Sequence, residues 1–216
     1  MTLVTASPAR LRAAWGAAHE TVPGVPRWAR IAALAIPFTV LPSGLWRIAA
    51  FTLHLPIIDR AGFGSEDMRG DLPVWLPLEL YVVLLSIVSE AFAFLGIGMV
   101  AGWGEVFPRW IPGLRGRRVP TAAAVVPAAV GAAILTVMWT WTVVTSLVLH
   151  ETIQGDPQRD DFPIGFQDWK GVLGVVAYVP LVAWGPLLAA VTVAYYRRRR
   201  AQARRRPPSQ TTPTWR

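Results

Sequence analysis

Residues 75–101, WLPLELYVVLLSIVSEAFAFLGIGMVA, form the stretch that decides the fold of this chain. The stretch is longer than the roughly 20 residues that a helix needs to cross a hydrocarbon core of about 30 Å. Its only charged residues are Glu79 and Glu90. Three more long apolar stretches complete a set of four, at residues 31–53, 121–149 and 172–196. We therefore predict an all-α membrane protein, a four-helix transmembrane bundle.

The composition of the chain agrees with a membrane protein. Of its 216 residues, 53% are hydrophobic and only 16% are charged, with a mean hydropathy of +0.40. A soluble domain usually carries about a quarter charged residues. The chain contains no cysteine, which excludes disulfides, thiolate metal sites and cysteine-based redox chemistry.

The basic residues are distributed unequally between the two sides that four spans define. The N-terminal segment, the loop between the second and third stretches and the C-terminal tail carry 16 of them, against 4 in the other two loops. Those other two loops carry nine acidic residues. Because basic residues are retained on the cytoplasmic side of a membrane, we predict a multi-pass plasma-membrane protein with both termini in the cytoplasm.

Three regions follow from this topology. Residues 1–30 are predicted to form a cytoplasmic segment with a short amphipathic helix on the inner leaflet. Residues 31–196 form the transmembrane domain. Residues 197–216, RRRRAQARRRPPSQTTPTWR, are predicted to be a disordered cytoplasmic tail. Because the arginine run directly follows a span, we expect it to bind anionic inner-leaflet lipids and no nucleic acid.

The loop at residues 103–120, WGEVFPRWIPGLRGRRVP, contains no histidine, cysteine, serine or aspartate that could act as nucleophile, base or metal ligand. It is interpreted as a stiff connector, and a docking surface for headgroups or a cytoplasmic partner is the alternative. With the following TAAAVVPAAVGA, it resembles uncharacterised four-span integral membrane proteins of actinobacteria that carry a W-G-E-x-x-P-R-W-x-P cytoplasmic loop. The resemblance implies the topology and assigns no catalytic residue.

Charged and polar residues within the apolar stretches are candidates for a functional site, because a charge near the bilayer centre costs at least about 2.5 kcal/mol. They fall on one face of each of three stretches and are predicted to line a pocket that opens to the exterior. We expect Arg47 to pair with a carboxylate of the second stretch, either as a structural pair or as part of a working site. The candidate set comprises Arg47, His54, Glu79, Ser86, Glu90 and His150.

Small residues predict where the second and third stretches approach each other. Gly98 and Gly102 form a GxxxG pair, and Ala128 and Ala129 belong to pairs of small residues with the same spacing. Such residues allow helices to pack closely. We therefore expect the bundle to be closed at its cytoplasmic end.

The sequence favours a non-enzymatic membrane protein with an accessory, structural or partner-binding role. A small transporter or proton-linked carrier is the alternative, and a membrane enzyme or a metal or haem protein comes third. Two histidines at helix ends without a third ligand do not make a metal site, so no metal or cofactor is predicted. The expected partners are the lipid bilayer and either another protein or a second copy of the chain.

Overall fold

A computed structural model describes residues 22–58, 72–106, 116–151, 164–166 and 168–205. Four of its helical segments are long and apolar enough to cross a membrane. We call them spans one to four: Arg27–Thr52, Leu78–Met99, Thr121–Leu149 and Trp169–Arg204. The predicted all-α four-helix bundle is confirmed, and each observed span overlaps its predicted stretch.

The spans are not uniform α-helices. Span one is α-helical over Arg27–Arg47 and ends in a π-helical turn, Ile48–Thr52, and span two is α-helical over Leu78–Leu95 and ends in a 3₁₀ turn, Gly96–Met99. Span three is α-helical from Thr121 to Val143 and also ends in a π-helical turn, Val144–Leu149.

Span four is broken into two helices. A 3₁₀ segment at Val179–Ala183 separates the helix Trp169–Tyr178 from the helix Trp184–Arg205. Pro180 lies in the break, where its ring and its missing N–H prevent a continuous α-helix. Pro186 is tolerated because it lies in the first turn of the second helix, where backbone N–H groups have no intrahelical acceptor.

The start of each span has a local cause. The residues that precede spans one, two and three are Pro26, Pro77 and Pro120, all in extended conformation. Span four is capped instead by Asp168, whose carboxylate accepts a hydrogen bond of 2.7 Å from the backbone N–H of Gly171. That bond satisfies one of the donors left open at a helix N-terminus.

The spans pack in the spatial order two, one, four, three. Their common core lies among spans one, two and four, and it is built from Ile36, Val40, Ala93, Leu181, Trp184 and Val191. Span three contacts the rest of the bundle mainly through span four. Spans two and three are therefore the two outer members of an arc.

The predicted close packing of spans two and three is wrong, since their helices are not among those that pack extensively together. A side chain at Gly98 would meet the indole of Trp103 in the turn that follows span two. Gly102 begins that turn, the 3₁₀ segment Gly102–Gly104. Ala128 is half-buried, and Ala129 is exposed.

The close approach of helices lies elsewhere, between spans three and four. A Cβ atom at Gly185 would overlap Thr136 and would lie 2.8 Å from the carbonyl oxygen of Ala132. Ala132 itself is buried. Glycine is thus required at position 185 by the neighbouring backbone, which is the role that the sequence had assigned to the glycines of span two.

Two arginines from the segment that was predicted to be disordered stabilise one end of the bundle. This end contains both the first and the last described residues, and we call it the terminal end. Arg198 is buried, and its Nη2 lies 3.0 Å from Oε1 of Glu105 and donates to the carbonyl oxygen of Met99 at 3.2 Å. Arg199 donates from Nη2 to the carbonyl oxygen of Val119 at 2.6 Å. These bonds tie span four to both arms of the loop between spans two and three.

The prediction of disorder from residue 197 is therefore wrong for the residues up to Arg205, which continue the last helix. The Glu105 carboxylate stabilises the charge of Arg198, and the carbonyl of Val119 accepts a hydrogen bond from Arg199. These tertiary contacts allow the helix to continue beyond its apolar part. Residues 206–216 and the predicted N-terminal amphipathic helix lie outside the described residues, as do residues 59–71 and 152–163 of the two acidic loops.

Candidate functional site: a groove between spans two and three

A groove of about 680 Å³ lies between spans two and three. It exists because the outer spans of the arc do not close on each other. Its deepest side chain is Trp184 of span four, which is 7% exposed. At its rim, Phe92, Ile134 and Met138 also line the groove and are themselves exposed, so the groove opens to the surface of the bundle.

The wall contributed by span three follows helical spacing. Ala124, Pro127, Ala128, Gly131, Leu135 and Met138 recur every three or four residues and therefore share one face of the helix. The facing wall on span two includes Leu85, Phe92 and Leu95. Apart from glycine and serine, these walls are apolar. Of the small residues that were expected to bring the two spans together, Gly98 and Ala128 instead line the space between them.

The groove is long. Its lining on span three runs from Ala124 to Trp139, about 22 Å at a helical rise of 1.5 Å per residue. Its lining on span two runs from Leu85 to Met99, about 21 Å by the same rise.

Among the described residues, Arg47 is the only charged one that lines the groove. Its Nε donates to the hydroxyl oxygen of Ser86 at 3.5 Å, while the Ser86 hydroxyl donates to the carbonyl oxygen of Val82 at 2.8 Å. Gly44 lies beside this contact, and a Cβ there would lie 3.6 Å from the Cβ of Ser86, an ordinary van der Waals distance. Spans one and two are thus joined at the level of Arg47.

The predicted pairing of Arg47 with Glu79 or Glu90 is not found. Within the described residues, Arg47 donates to the hydroxyl of Ser86 and has a side-chain hydrogen bond with Tyr178, and its guanidinium carbon lies 5.9 Å from the ring centroid of Tyr178. A guanidinium is attracted to an aromatic face by the ring quadrupole. The cation is therefore held by a hydroxyl and an aromatic ring, and not by a carboxylate.

Tyr178 is the centre of an aromatic cluster beside Arg47. Its ring centroid lies 5.5 Å from that of Trp46, in an edge-to-face arrangement, and 6.2 Å from that of Trp139. Trp139 and Trp184 both line the groove, and the Nε1 atom of each is buried without a hydrogen-bond partner in the described part of the chain. A buried indole N–H usually has an acceptor.

The remaining candidates lie apart from the groove. His54 is exposed, and its Nε2 lies 3.9 Å from Oε1 of Glu79, which is also exposed. Glu90 is half-buried on span two, and it does not line the groove. The Thr142 hydroxyl, on the polar face of span three, donates to the carbonyl of its own helix at Met138. Among the described residues, the candidates therefore do not come together in one polar pocket, and the groove between spans two and three is lined mainly by apolar side chains.

The two histidines terminate helices. His54 and His150 have φ angles of 56° and 54°, in the left-handed region, and each follows a π-helical turn. A left-handed residue is a common way to end a helix, although glycine is the usual choice. Within the described ranges, no three histidine, aspartate or glutamate side chains are placed to hold a metal ion.

The groove offers hydrogen-bond donors to a ligand. Arg47 is cationic and carries N–H donors without an acceptor. The indole Nε1 atoms of Trp139 and Trp184 are buried, so these two side chains present carbon atoms to the groove. In the part of the lining that the structure describes, Ser89 contributes the one hydroxyl, and there is no carboxylate and no pair of nucleophile and base. Such a lining can bind a long apolar group that carries a carbonyl or an anionic oxygen at one end.

Sequence reasoning identified Arg47 and Ser86 but not Tyr178 or Trp184. Counting charges in apolar stretches finds a cation and overlooks the aromatic rings that accompany it. Pro180 is the sequence feature that could have indicated these two residues, because it lies in the break of span four, and the ring of Tyr178 beside this break contacts Arg47. Broken helices within a membrane often line a cavity.

Comparison with known proteins gives no relative from which a role could be transferred: no family model, no curated protein and no solved structure matches the chain.

Proposed function

We propose that this chain is a non-enzymatic, multi-pass protein of the plasma membrane that binds a hydrophobic molecule in the groove between spans two and three. The observation that carries the proposal is the groove itself, an elongated apolar space that is also lined by the cation Arg47. Among the described lining residues there is no pair of nucleophile and base and no carboxylate, which suits binding rather than catalysis.

The proposed orientation has both termini in the cytoplasm, so the terminal end of the bundle faces the inner leaflet. The unequal distribution of basic residues supports this orientation. Arg197, Arg200 and Arg204 are exposed on one side of the last helix, next to Tyr196, and they line a concave surface there. These arginines, unlike Arg198, are available to attract anionic lipid headgroups.

The binding proposal is tested by crosslinking from inside the groove. Because the chain has no cysteine, Gly131→Cys introduces a single site for a photoreactive maleimide, and a Cβ at Gly131 meets no atom within 4 Å. The matched control is Ala133→Cys, two residues along the same helix, exposed and outside the groove. We expect one defined adduct from position 131 in native membranes and only diffuse labelling from position 133. Equal labelling from both positions would refute the binding groove.

A proton-linked carrier is the second candidate, and one observation favours it. Span four is interrupted at Val179–Ala183, beside Arg47 and Tyr178, and discontinuous helices recur at the sites of transporters. The carrier requires a titratable carboxylate, for which Glu90 is the candidate. Proton uptake into proteoliposomes that is lost in Glu90→Gln would support the carrier, and no uptake by the wild-type protein would refute it.

A further inference from the structure

We propose that one face of span two is a dimer interface, at which the neutral carboxyl group of Glu90 binds the same carboxyl group of a second copy of this chain. This face does not line the groove, so the inference goes beyond the proposed function and does not depend on a ligand. Two observations carry it: the isolation of the Glu90 carboxylate and the spacing of the side chains around it.

Glu90 lies near the middle of the membrane without a polar partner. It is twelve residues from the start of span two at Leu78 and nine from its end at Met99. Its side chain is half-buried, and among the described residues no hydrogen bond or ion pair reaches its carboxylate. A carboxyl group at this depth is costly when it is ionised, and also when it is neutral and unpaired. The partner of Glu90 is therefore expected from outside the bundle.

The side chains around Glu90 have the spacing of a helix–helix contact. Alternating steps of three and four residues, the spacing of the positions that meet between two packed helices, connect Leu80, Val83, Ile87, Glu90 and Phe94. We call these five residues the span-two seam. Leu80, Ile87 and Phe94 are exposed, so the described part of the chain does not cover the seam. One polar residue in an otherwise apolar seam fixes the register and the number of the helices.

Symmetry favours a second copy as the occupant of the seam. In a dimer whose twofold axis runs along the membrane normal, each residue lies at the same depth as its counterpart in the other copy. A neutral carboxyl group has one O–H donor and a carbonyl acceptor. Two Glu90 carboxyl groups that meet at the axis therefore satisfy each other through two hydrogen bonds, and such bonds between helices stabilise their association in membranes.

The described cations of the chain do not compete for this place. Arg47 is the one described cation that lies away from the ends of the spans, and it is held inside the bundle by Ser86 and Tyr178. Ser86 is one helical turn from Glu90, about 6 Å along span two, so Arg47 of a second copy also lies at a different depth. The group of a second copy that reaches the depth of Glu90 on the same face is Glu90 itself.

Disulfide formation between identical positions tests the seam. Because the chain has no cysteine, Ile87→Cys introduces one thiol per copy within the seam. The matched control is Val88→Cys at the next position, which is also exposed but turned by about 100° around the helix. Under mild oxidation of the full-length protein in native membranes, we expect Ile87→Cys to form a covalent dimer of twice the chain mass and Val88→Cys to remain monomeric.

Two variants of Glu90 test the hydrogen bonds. Dimerisation is measured in liposomes over a range of protein-to-lipid ratios, by energy transfer between full-length chains labelled at Ala201→Cys, an exposed position at the terminal end. Glu90→Leu should weaken dimerisation about eightfold, the loss expected for two hydrogen bonds of average strength within a membrane. Glu90→Gln should dimerise like the wild type, because an amide also carries a donor and an acceptor. In a proton-linked carrier, by contrast, Glu90→Gln would lose activity.

Several outcomes would overturn the inference. The seam is not a dimer interface if the wild-type protein stays monomeric at every protein-to-lipid ratio, or if Ile87→Cys forms no more dimer than Val88→Cys. The carboxyl pair does not exist if Glu90→Leu dimerises as strongly as the wild type. A disulfide adduct of Ile87→Cys with a mass other than twice that of the chain would identify a different protein as the occupant. A lower melting temperature of Glu90→Leu in dilute detergent would mean that Glu90 has its partner within its own chain.

Discussion

Replacing Arg198 by methionine should destabilise the bundle by disrupting the contact that joins span four to the turn after span two. The Arg198 side chain is 5% exposed and that of Glu105 is 19% exposed, with 3.0 Å between Nη2 and Oε1. The substitution removes this ion pair and the hydrogen bond to the carbonyl of Met99. It leaves the carboxylate of Glu105 largely buried, without a cation.

The expected loss follows from that burial. Removing one partner of a fully buried ion pair costs about 3–5 kcal/mol. Because a fifth of the Glu105 side chain is exposed and part of its charge stays hydrated, we expect about 2 kcal/mol for Arg198→Met. Adding Glu105→Gln removes the uncompensated charge, so the double variant should be only about 1 kcal/mol less stable than the wild type.

The free energy of unfolding is measured by denaturant titration in mixed micelles, for the two single variants and the double variant. Arg197→Met is the matched control, because Arg197 is exposed beside Arg198 on the same helix; its effect should stay within about 0.5 kcal/mol. Additive losses in the double variant, or an Arg198→Met protein as stable as the control, would refute the contact as a source of stability.

Three further predictions concern the architecture. Gly185→Ala should lower the free energy of unfolding by about 1–3 kcal/mol, because the new Cβ would overlap Thr136 and the carbonyl of Ala132. The control Gly131→Ala should not destabilise the protein, and equal melting temperatures of the two variants would contradict the prediction. Asp168→Ala should lower stability by about 1 kcal/mol through loss of the helix cap, and an Asp168→Asn variant that melts as low as the alanine variant would exclude the cap. His150→Gly should be neutral or stabilising by up to about 1 kcal/mol at its left-handed backbone, and a clear loss in a thermal melt would indicate that the imidazole has a role of its own.

The number of spans could be read from the sequence because a membrane helix depends on length and hydrophobicity, which are local properties. The helix starts that follow Pro26, Pro77 and Pro120 were not predicted from these prolines, although each proline precedes a span in the structure. The end of the last helix was misplaced for a non-local reason. Only the fold brings Glu105 and the carbonyl of Met99 to Arg198.

The packing could not be read from small residues alone. At Gly98 a side chain would collide with Trp103, which lies in the turn directly after the same span. At Gly185 a side chain would collide with the backbone of span three. Spacing does not distinguish a glycine that admits a local side chain from one that admits a neighbouring helix. For the same reason, the wall of the groove at Ala128 was interpreted as a helix contact.

The candidate site was predicted in part. Arg47 and Ser86 were both among the candidate residues, and the structure brings them into contact, although that contact itself was not predicted. The expected carboxylate partner of Arg47 was wrong, because a hydroxyl and the ring of Tyr178 take that place. The contact of Arg47 with Tyr178 could not be predicted from the sequence, because it depends on how the break in span four packs against span one.

The separation of spans two and three is the central claim, and disulfide formation tests it directly in a chain that has no cysteine of its own. The pair Gly44→Cys with Ser86→Cys joins spans one and two, where the Cβ atoms would lie 3.6 Å apart, within the range of a disulfide. The pair Leu95→Cys with Ala128→Cys faces across the groove. Under mild oxidation in native membranes, we predict rapid crosslinking of the first pair and none of the second. Rapid crosslinking of the second pair would mean that spans two and three touch and that the groove does not exist.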